Sequence, residues 1–168
     1  MTGRVWRSLR TWPDVNGWGR FALEAAWLFP VLIALGFFRG LMSWQPRIDA
    51  EIVRLAALAF IIPALGEELL FRAALLPDPR SDRRAPVAIL ISTALFVLWH
   101  PPQGLIFGPH WAAVVLDPWF LACVAALGVA SARLYLRTGS IWPSVLLHWS
   151  VVVAWKALLG GPSPWVPG

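Results

Sequence analysis

Five polar side chains in apolar surroundings are the candidates for chemistry in this chain: Glu67, Glu68, Arg72, His100 and His148. The first three interrupt a run that otherwise suits lipid, from Leu55 to Leu76. A charged side chain at hydrocarbon depth costs about 2.5–3.5 kcal/mol on insertion scales, so such groups face a protein interior or a water pocket and mark function. Glu68 and Arg72 are four apart and share a helix face, where a guanidinium can fix a carboxylate through paired hydrogen bonds. Glu67 projects about 100° away and has no partner on its own helix. That makes it the candidate general base. Pro63 removes a helix hydrogen bond just upstream, and Gly66 allows a backbone or a substrate to come close.

Two further runs supply imidazoles. Phe96 lies four before His100, so its ring can pack against the imidazole and hold it. His148 is set among Leu146, Leu147 and Val151, with Ser144 one turn before it on the same face. His110 falls in a connector and reads as an ordinary loop histidine. A carboxylate and two imidazoles allow two mechanisms. Glu67 can activate a water that attacks a carbonyl, while an imidazole positions the water and another donor stabilises the oxyanion. Alternatively, Glu and His groups can bind zinc, which activates the water instead. No His-Glu-x-x-His helix and no Gly-x-Ser-x-Gly elbow is present, so serine chemistry has no support.

The elements that must position these groups are apolar helices. The chain has 168 residues, of which 58% are hydrophobic and 14% charged, against about 25% charged in a soluble domain. Twelve tryptophans against one tyrosine fit membrane interfaces, where Trp concentrates. The expected fold is all-α, a polytopic transmembrane helical bundle of about five spans, near residues 21–41, 50–76, 86–100, 118–136 and 141–159, with the third closed by Pro101 and Pro102. The expected organisation is a basic N-terminal arm over residues 1–20, a transmembrane domain over 21–160 and a flexible end over 161–168. The single cysteine, Cys123, has no disulfide partner within the chain.

Arginine placement sets the expected orientation. Arg4, Arg7, Arg10 and Arg20 precede the first span, Arg80, Arg83 and Arg84 follow the second, and Arg133 and Arg137 end the fourth. These regions share one side, and the other side holds Arg39, Arg47 and Lys156. By the positive-inside rule the N-terminus is cytoplasmic, and the arm attracts anionic headgroups rather than nucleic acid. With that topology Glu67, His100 and His148 lie roughly 15, 21 and 12 Å from the cytoplasmic ends of their spans, at similar depths.

These residues resemble the CAAX protease and bacteriocin-processing family, glutamic-type intramembrane proteases that include the type II prenyl proteases. Its Glu-Glu-x-x-x-Arg motif is matched by Glu67, Glu68 and Arg72, and its Phe-x-x-x-His motif by Phe96 and His100. Its later His-x-x-x-Asn or Asp motif is matched only at His148, because Val152 stands four residues on. The resemblance implies Glu67 as general base, Glu68 and Arg72 as its support, His100 as a holder of the catalytic water and His148 as part of the oxyanion site. Ser144, Trp149 or Trp155 would have to replace the donor that valine lacks. It further implies a membrane-associated or prenylated peptide substrate, no cofactor unless zinc takes part, and residence in a bacterial inner membrane. The runners-up are an inactive immunity or regulatory protein, favoured by Val152, and a proton-linked transporter, disfavoured by the lack of an internal repeat.

Overall fold

The computed structural model describes residues 2–78, 85–107 and 113–162. His110 and the arginines Arg80, Arg83 and Arg84 lie outside the described residues. The chain is all-helical: α1 (Thr2–Arg10), α2 (Val15–Phe38), α3 (Ala50–Ala59), a composite run over residues 60–74, α4 (Ala85–Phe107), α5 (Pro118–Thr138) and α6 (Trp142–Leu158). Among the described residues the β-pairing is limited to an isolated bridge between Gln45 and Leu159.

Capping residues explain where the helices start and stop. Asp14, Asp49 and Asp117 each accept backbone N–H groups of the first turn, at Gly17, Ile52 and both Trp119 and Phe120, which satisfies donors that a helix start leaves orphaned. Pro118 sits at the first turn of α5, where its missing N–H costs nothing. Gly139, at a φ of 67°, ends α5 in the left-handed region that glycine tolerates. The carbonyls at the end of α6 accept from the backbone of Ser43, Gln45 and Arg47 at 3.2, 2.9 and 2.7 Å.

The membrane character lies in what each helix leaves uncovered. In α2 the buried residues after the first turn are Glu24, Leu28, Leu32 and Gly36, one i,i+4 stripe. Leu23, Val31, Ile33, Phe37 and Phe38 point outward, so α2 is apolar beyond its packed face, as a lipid-facing helix must be. Among the described residues three helices are long and apolar enough to cross a membrane: Val15–Phe38, Ala85–Gly104 and Pro118–Thr138. The expectation of about five spans is therefore only approximate. The second expected span is interrupted inside residues 60–74. The fifth, α6, has 17 residues, a length of about 26 Å against a hydrocarbon core of about 30 Å.

The helix bearing His100 runs past its expected end. Pro101 and Pro102 remove two backbone donors, yet α4 continues to Phe107. Proline's fixed φ suits a helix, and membrane helices accept such interruptions where neighbouring groups satisfy the freed carbonyls. The basic residues Arg4, Arg7 and Arg10 lie on α1, and Arg20 lies near the start of α2.

At the centre, α5 packs against α2, α4 and α6. Gly128 sets the distance to α4, because a Cβ there would lie 3.1 Å from Thr93 Cγ2 and 3.2 Å from Phe96 Cδ1. Gly128→Val is expected to destabilise the protein by about 1–3 kcal/mol through overpacking. It should also displace Phe96, so thermal unfolding in detergent should show a lowered midpoint together with reduced activity.

Candidate active site

The run carrying Glu67 and Glu68 is not a plain helix. It comprises a π-helical segment (Phe60–Leu65), one α-helical turn (Gly66–Glu68) and a second π-helical segment (Leu69–Ala74). Ile62 breaks the first with φ −132° and ψ 117°, just before Pro63. π-Helical turns are rare and collect at functional sites. Here the two segments flank the carboxylate pair.

Glu68 and Arg72 are fully buried and joined, Arg72 Nε to Glu68 Oε2, at 3.1 Å. Arg72 Nη1 donates to Ser92 Oγ at 2.7 Å, and Ser92 donates to the carbonyl of Phe71 at 2.7 Å. The guanidinium also lies over the Phe96 ring, 4.8 Å from its centroid, a favourable placement for a desolvated cation. Glu68 has a second partner: its Oε1 lies 3.1 Å from His148 Nδ1. An ionised carboxylate only accepts, so Nδ1 carries a proton and the ring is oriented with Nε2 outward.

His148 Nε2 then faces Glu67 Oε2 at 4.0 Å. The two oxygens of Glu67 are not equivalent. Oε1 accepts from the Trp99 indole at 2.9 Å and from Gln103 Nε2 at 3.4 Å. Oε2 is buried and has no hydrogen-bond partner. Trp99 and Gln103 lie four apart on one face of α4, straddling the two prolines, so the continuation of that helix places the second donor.

Phe96 joins the two imidazoles. Its ring meets His100 edge-on at 5.0 Å and His148 at 5.7 Å. His100 Nδ1 lies 2.8 Å from the Phe96 carbonyl, which can only accept, so Nδ1 is the protonated nitrogen in the neutral ring and Nε2 is left as an acceptor. Both imidazoles line a cavity of about 80 Å³ walled by Leu32, Gly36, Met42, Phe120, Val151 and Val152.

The structure thus gathers Glu67, Glu68, Arg72, Phe96, His100 and His148 from the composite run, α4 and α6. His148, rather than His100, is the imidazole that faces Glu67. The hydroxyl of Ser144 donates to the Ser131 carbonyl at 2.9 Å, in the α5–α6 interface, so its proton is committed there. The indoles of Trp149 and Trp155 donate to the carbonyls of Ala56 and Leu41, at 2.7 and 3.3 Å. Sequence reasoning missed Trp99, Gln103 and Ser92. Only the four-residue spacing of Trp99 and Gln103 hinted at them, and it was hidden by treating Pro101 as a helix end. Among the described residues no three His, Cys, Asp or Glu side chains converge as a metal site.

A second buried carboxylate, Glu24, ties α2 to α5. It accepts from the Trp27 indole at 2.6 Å and pairs with Arg133 at 3.0 Å and Arg137 at 3.4 Å.

Apolar helices packed around a buried carboxylate–imidazole cluster define a helical integral membrane protein. The family model described as Type II CAAX prenyl endopeptidase Rce1-like matches residues 49–154, and the chain belongs to that family, a family of proteases. The matched residues span the composite run, α4, α5 and most of α6, and so include all six clustered side chains. No curated protein and no solved structure matches the chain.

Proposed function

We propose that the chain is an intramembrane endopeptidase in which Glu67 activates a water to hydrolyse a peptide bond of a membrane-associated or prenylated substrate. The observation that carries this reading is Glu67 Oε2, buried, without a partner, and 4.0 Å from His148 Nε2. Two hydrogen bonds of about 2.8 Å that meet at one water span about that distance. The water gives one hydrogen bond to Glu67 Oε2 and one to His148 Nε2. Glu67 takes the proton as the water oxygen attacks the peptide carbonyl. The same proton then passes to the departing amine as the C–N bond breaks, leaving a carboxylic acid and an amine. Trp99 and Gln103 hold Oε1 and so aim Oε2, while Glu68 orients His148 through Nδ1. His100 lines the adjoining cavity and is the second imidazole available to the tetrahedral intermediate. Residence in a bacterial inner membrane with a cytoplasmic N-terminus belongs to the same proposal.

The test is cleavage of a quenched prenylated peptide, and of its unprenylated counterpart, by purified protein in EDTA. Turnover that survives EDTA is expected. Activity abolished by EDTA and restored by zinc would replace the metal-free mechanism with a metal-assisted one.

Val152 supports a second reading, an inactive family member with a regulatory or immunity role. It lines the cavity beside both imidazoles and offers no donor, and losing one oxyanion donor costs about 2.7–4 kcal/mol in enzymes where it has been removed. Val152→Asn is therefore expected to raise kcat by about 10²–10³ if the native site is catalytic but short of a donor. A variant that stays at the wild-type rate, with both proteins inert towards every peptide tried, would favour the regulatory reading.

A further inference from the structure

A cavity of about 270 Å³ lies between α1 and the C-terminal end of α5; Arg4, Arg7, Ser8, Asp78, Arg137 and Thr138 are among the residues that line it, and none of the Glu67 cluster does. A single water occupies about 30 Å³ of liquid, so there is room for a polyatomic group. We propose that this cavity binds a phosphate ester at headgroup depth, with the guanidiniums of Arg4, Arg7 and Arg137 as its donors.

The donor inventory supports an anion. Each guanidinium has five N–H groups and no acceptor. Arg4 gives two to the carbonyls of Leu76 and Ala74, at 2.8 and 3.2 Å. Arg7 gives one to Asp78 at 3.0 Å, and Arg137 one to Glu24 at 3.4 Å. The hydroxyls of Ser8, Thr11 and Thr138 donate to carbonyls of their own helices, at Val5, Arg7 and Leu134, each at 2.8 Å. Their protons are therefore committed, and recognition falls to the arginines. Asp78 and Glu24 each pair with one of these arginines, Glu24 being shared with Arg133, and Arg4 caps helix-end carbonyls, so each guanidinium keeps N–H groups beyond these bonds to offer an anion. Arg–phosphate pairs are short, bidentate and strong.

A separate observation sets the depth. Trp12 stands against Trp18 at 5.8 Å and Trp142 at 6.1 Å, and the Trp142 indole donates to the Leu9 carbonyl at 2.9 Å. Trp6 is exposed, with Arg10 5.5 Å from its ring centroid. Tryptophans gather where headgroups meet hydrocarbon, so this end of the bundle meets lipid phosphates. Arg4 also holds the end of the run that bears Glu67 and Glu68, which places the anion site next to the last turn of that run.

The test uses the full chain in phosphatidylcholine nanodiscs with added phosphatidylglycerol, reading retained lipid by native mass spectrometry and the thermal midpoint in parallel. Wild type is expected to retain phosphatidylglycerol selectively and to gain stability from it. Arg7→Gln with Arg137→Gln, which leaves the Arg4 contacts intact, is expected to bind it about 30-fold more weakly, the effect of two basic residues at an anionic surface. If that double variant fails to fold, Thr11→Glu, which keeps all three arginines and adds a carboxylate beside them, is expected to weaken retention likewise. Glycerol 3-phosphate in pure phosphatidylcholine discs forms the second arm. Protection by it that equals the lipid assigns the site to a soluble phosphoester, and protection by the lipid alone assigns it to the bilayer. Wild type that does not distinguish phosphatidylglycerol from phosphatidylcholine and ignores glycerol 3-phosphate overturns the proposal, as does a folded variant that responds as wild type. Binding is read without turnover, so this outcome is independent of whether the protein is a protease.

Discussion

Glu67→Gln should abolish peptide cleavage while leaving the protein folded. The amide oxygen can still accept from Trp99 and Gln103, which hold Glu67 Oε1 at 2.9 and 3.4 Å. The amide nitrogen then takes the place of Oε2, the atom that faces His148, and it cannot accept a proton from water. General-base catalysis contributes about 10²–10⁴ in rate, equivalent to about 3–5 kcal/mol of barrier. The measurement is kcat/KM on the peptide that wild type cleaves best, with the thermal midpoint recorded alongside. A midpoint near wild type together with the lost rate assigns the effect to chemistry. A folded variant that keeps about a third or more of the wild-type rate would remove Glu67 from the general-base role, since no base contribution of this size would then exist.

The contrast between Glu67 and Glu68 was legible in the sequence because it is local. Glu68 and Arg72 stand one helical turn apart, and they pair at 3.1 Å. Phe96 and His100 stand at the same spacing, and their rings meet at 5.0 Å. Apolar composition was enough to set the all-helical membrane fold. The long-range contacts were not legible, and the reason is physical. Rotation of a helix about its axis is read from the contrast between an apolar and a polar face. Helices α4 and α6 are apolar on nearly all sides, so nothing in their pattern says which residue turns inward. The contact between His148 and Glu68, 80 residues apart in sequence, follows from that unreadable rotation, as does the approach of Trp99 to Glu67.

Backbone irregularity was the other hidden element. Pro63 signals a lost hydrogen bond, but a single proline is equally compatible with a kinked continuous span. The break at Ile62 and the two π-helical segments emerge from packing that sequence periodicity does not encode. Pro101 and Pro102 misled in the opposite direction. In water a proline pair ends a helix, whereas in a packed membrane bundle α4 carries on and delivers Gln103 to Glu67.

Arg72→Met should be the most destabilising single substitution in the cluster. Both Arg72 and Glu68 have no exposed side-chain surface, so removing the cation leaves a buried carboxylate with only the imidazole of His148 as a counter-group. Breaking one half of a buried ion pair costs about 3–5 kcal/mol, and the contacts to Ser92 and the Phe96 face are lost with it. Low yield or a much lower unfolding midpoint in detergent is the expected result. The companion variant, Glu68→Gln with Arg72→Met, removes both charges and should recover most of that stability, because a neutral, well-packed replacement of a buried pair is often harmless. Its activity should not recover to the same extent. The carboxylate that fixes the proton on His148 Nδ1 has become an amide, which can present either its oxygen or its N–H to the ring, so the orientation of Nε2 towards Glu67 is no longer enforced. Stability restored with activity still lost places Glu68 in the positioning of His148. Stability and activity restored together would reduce the pair to packing.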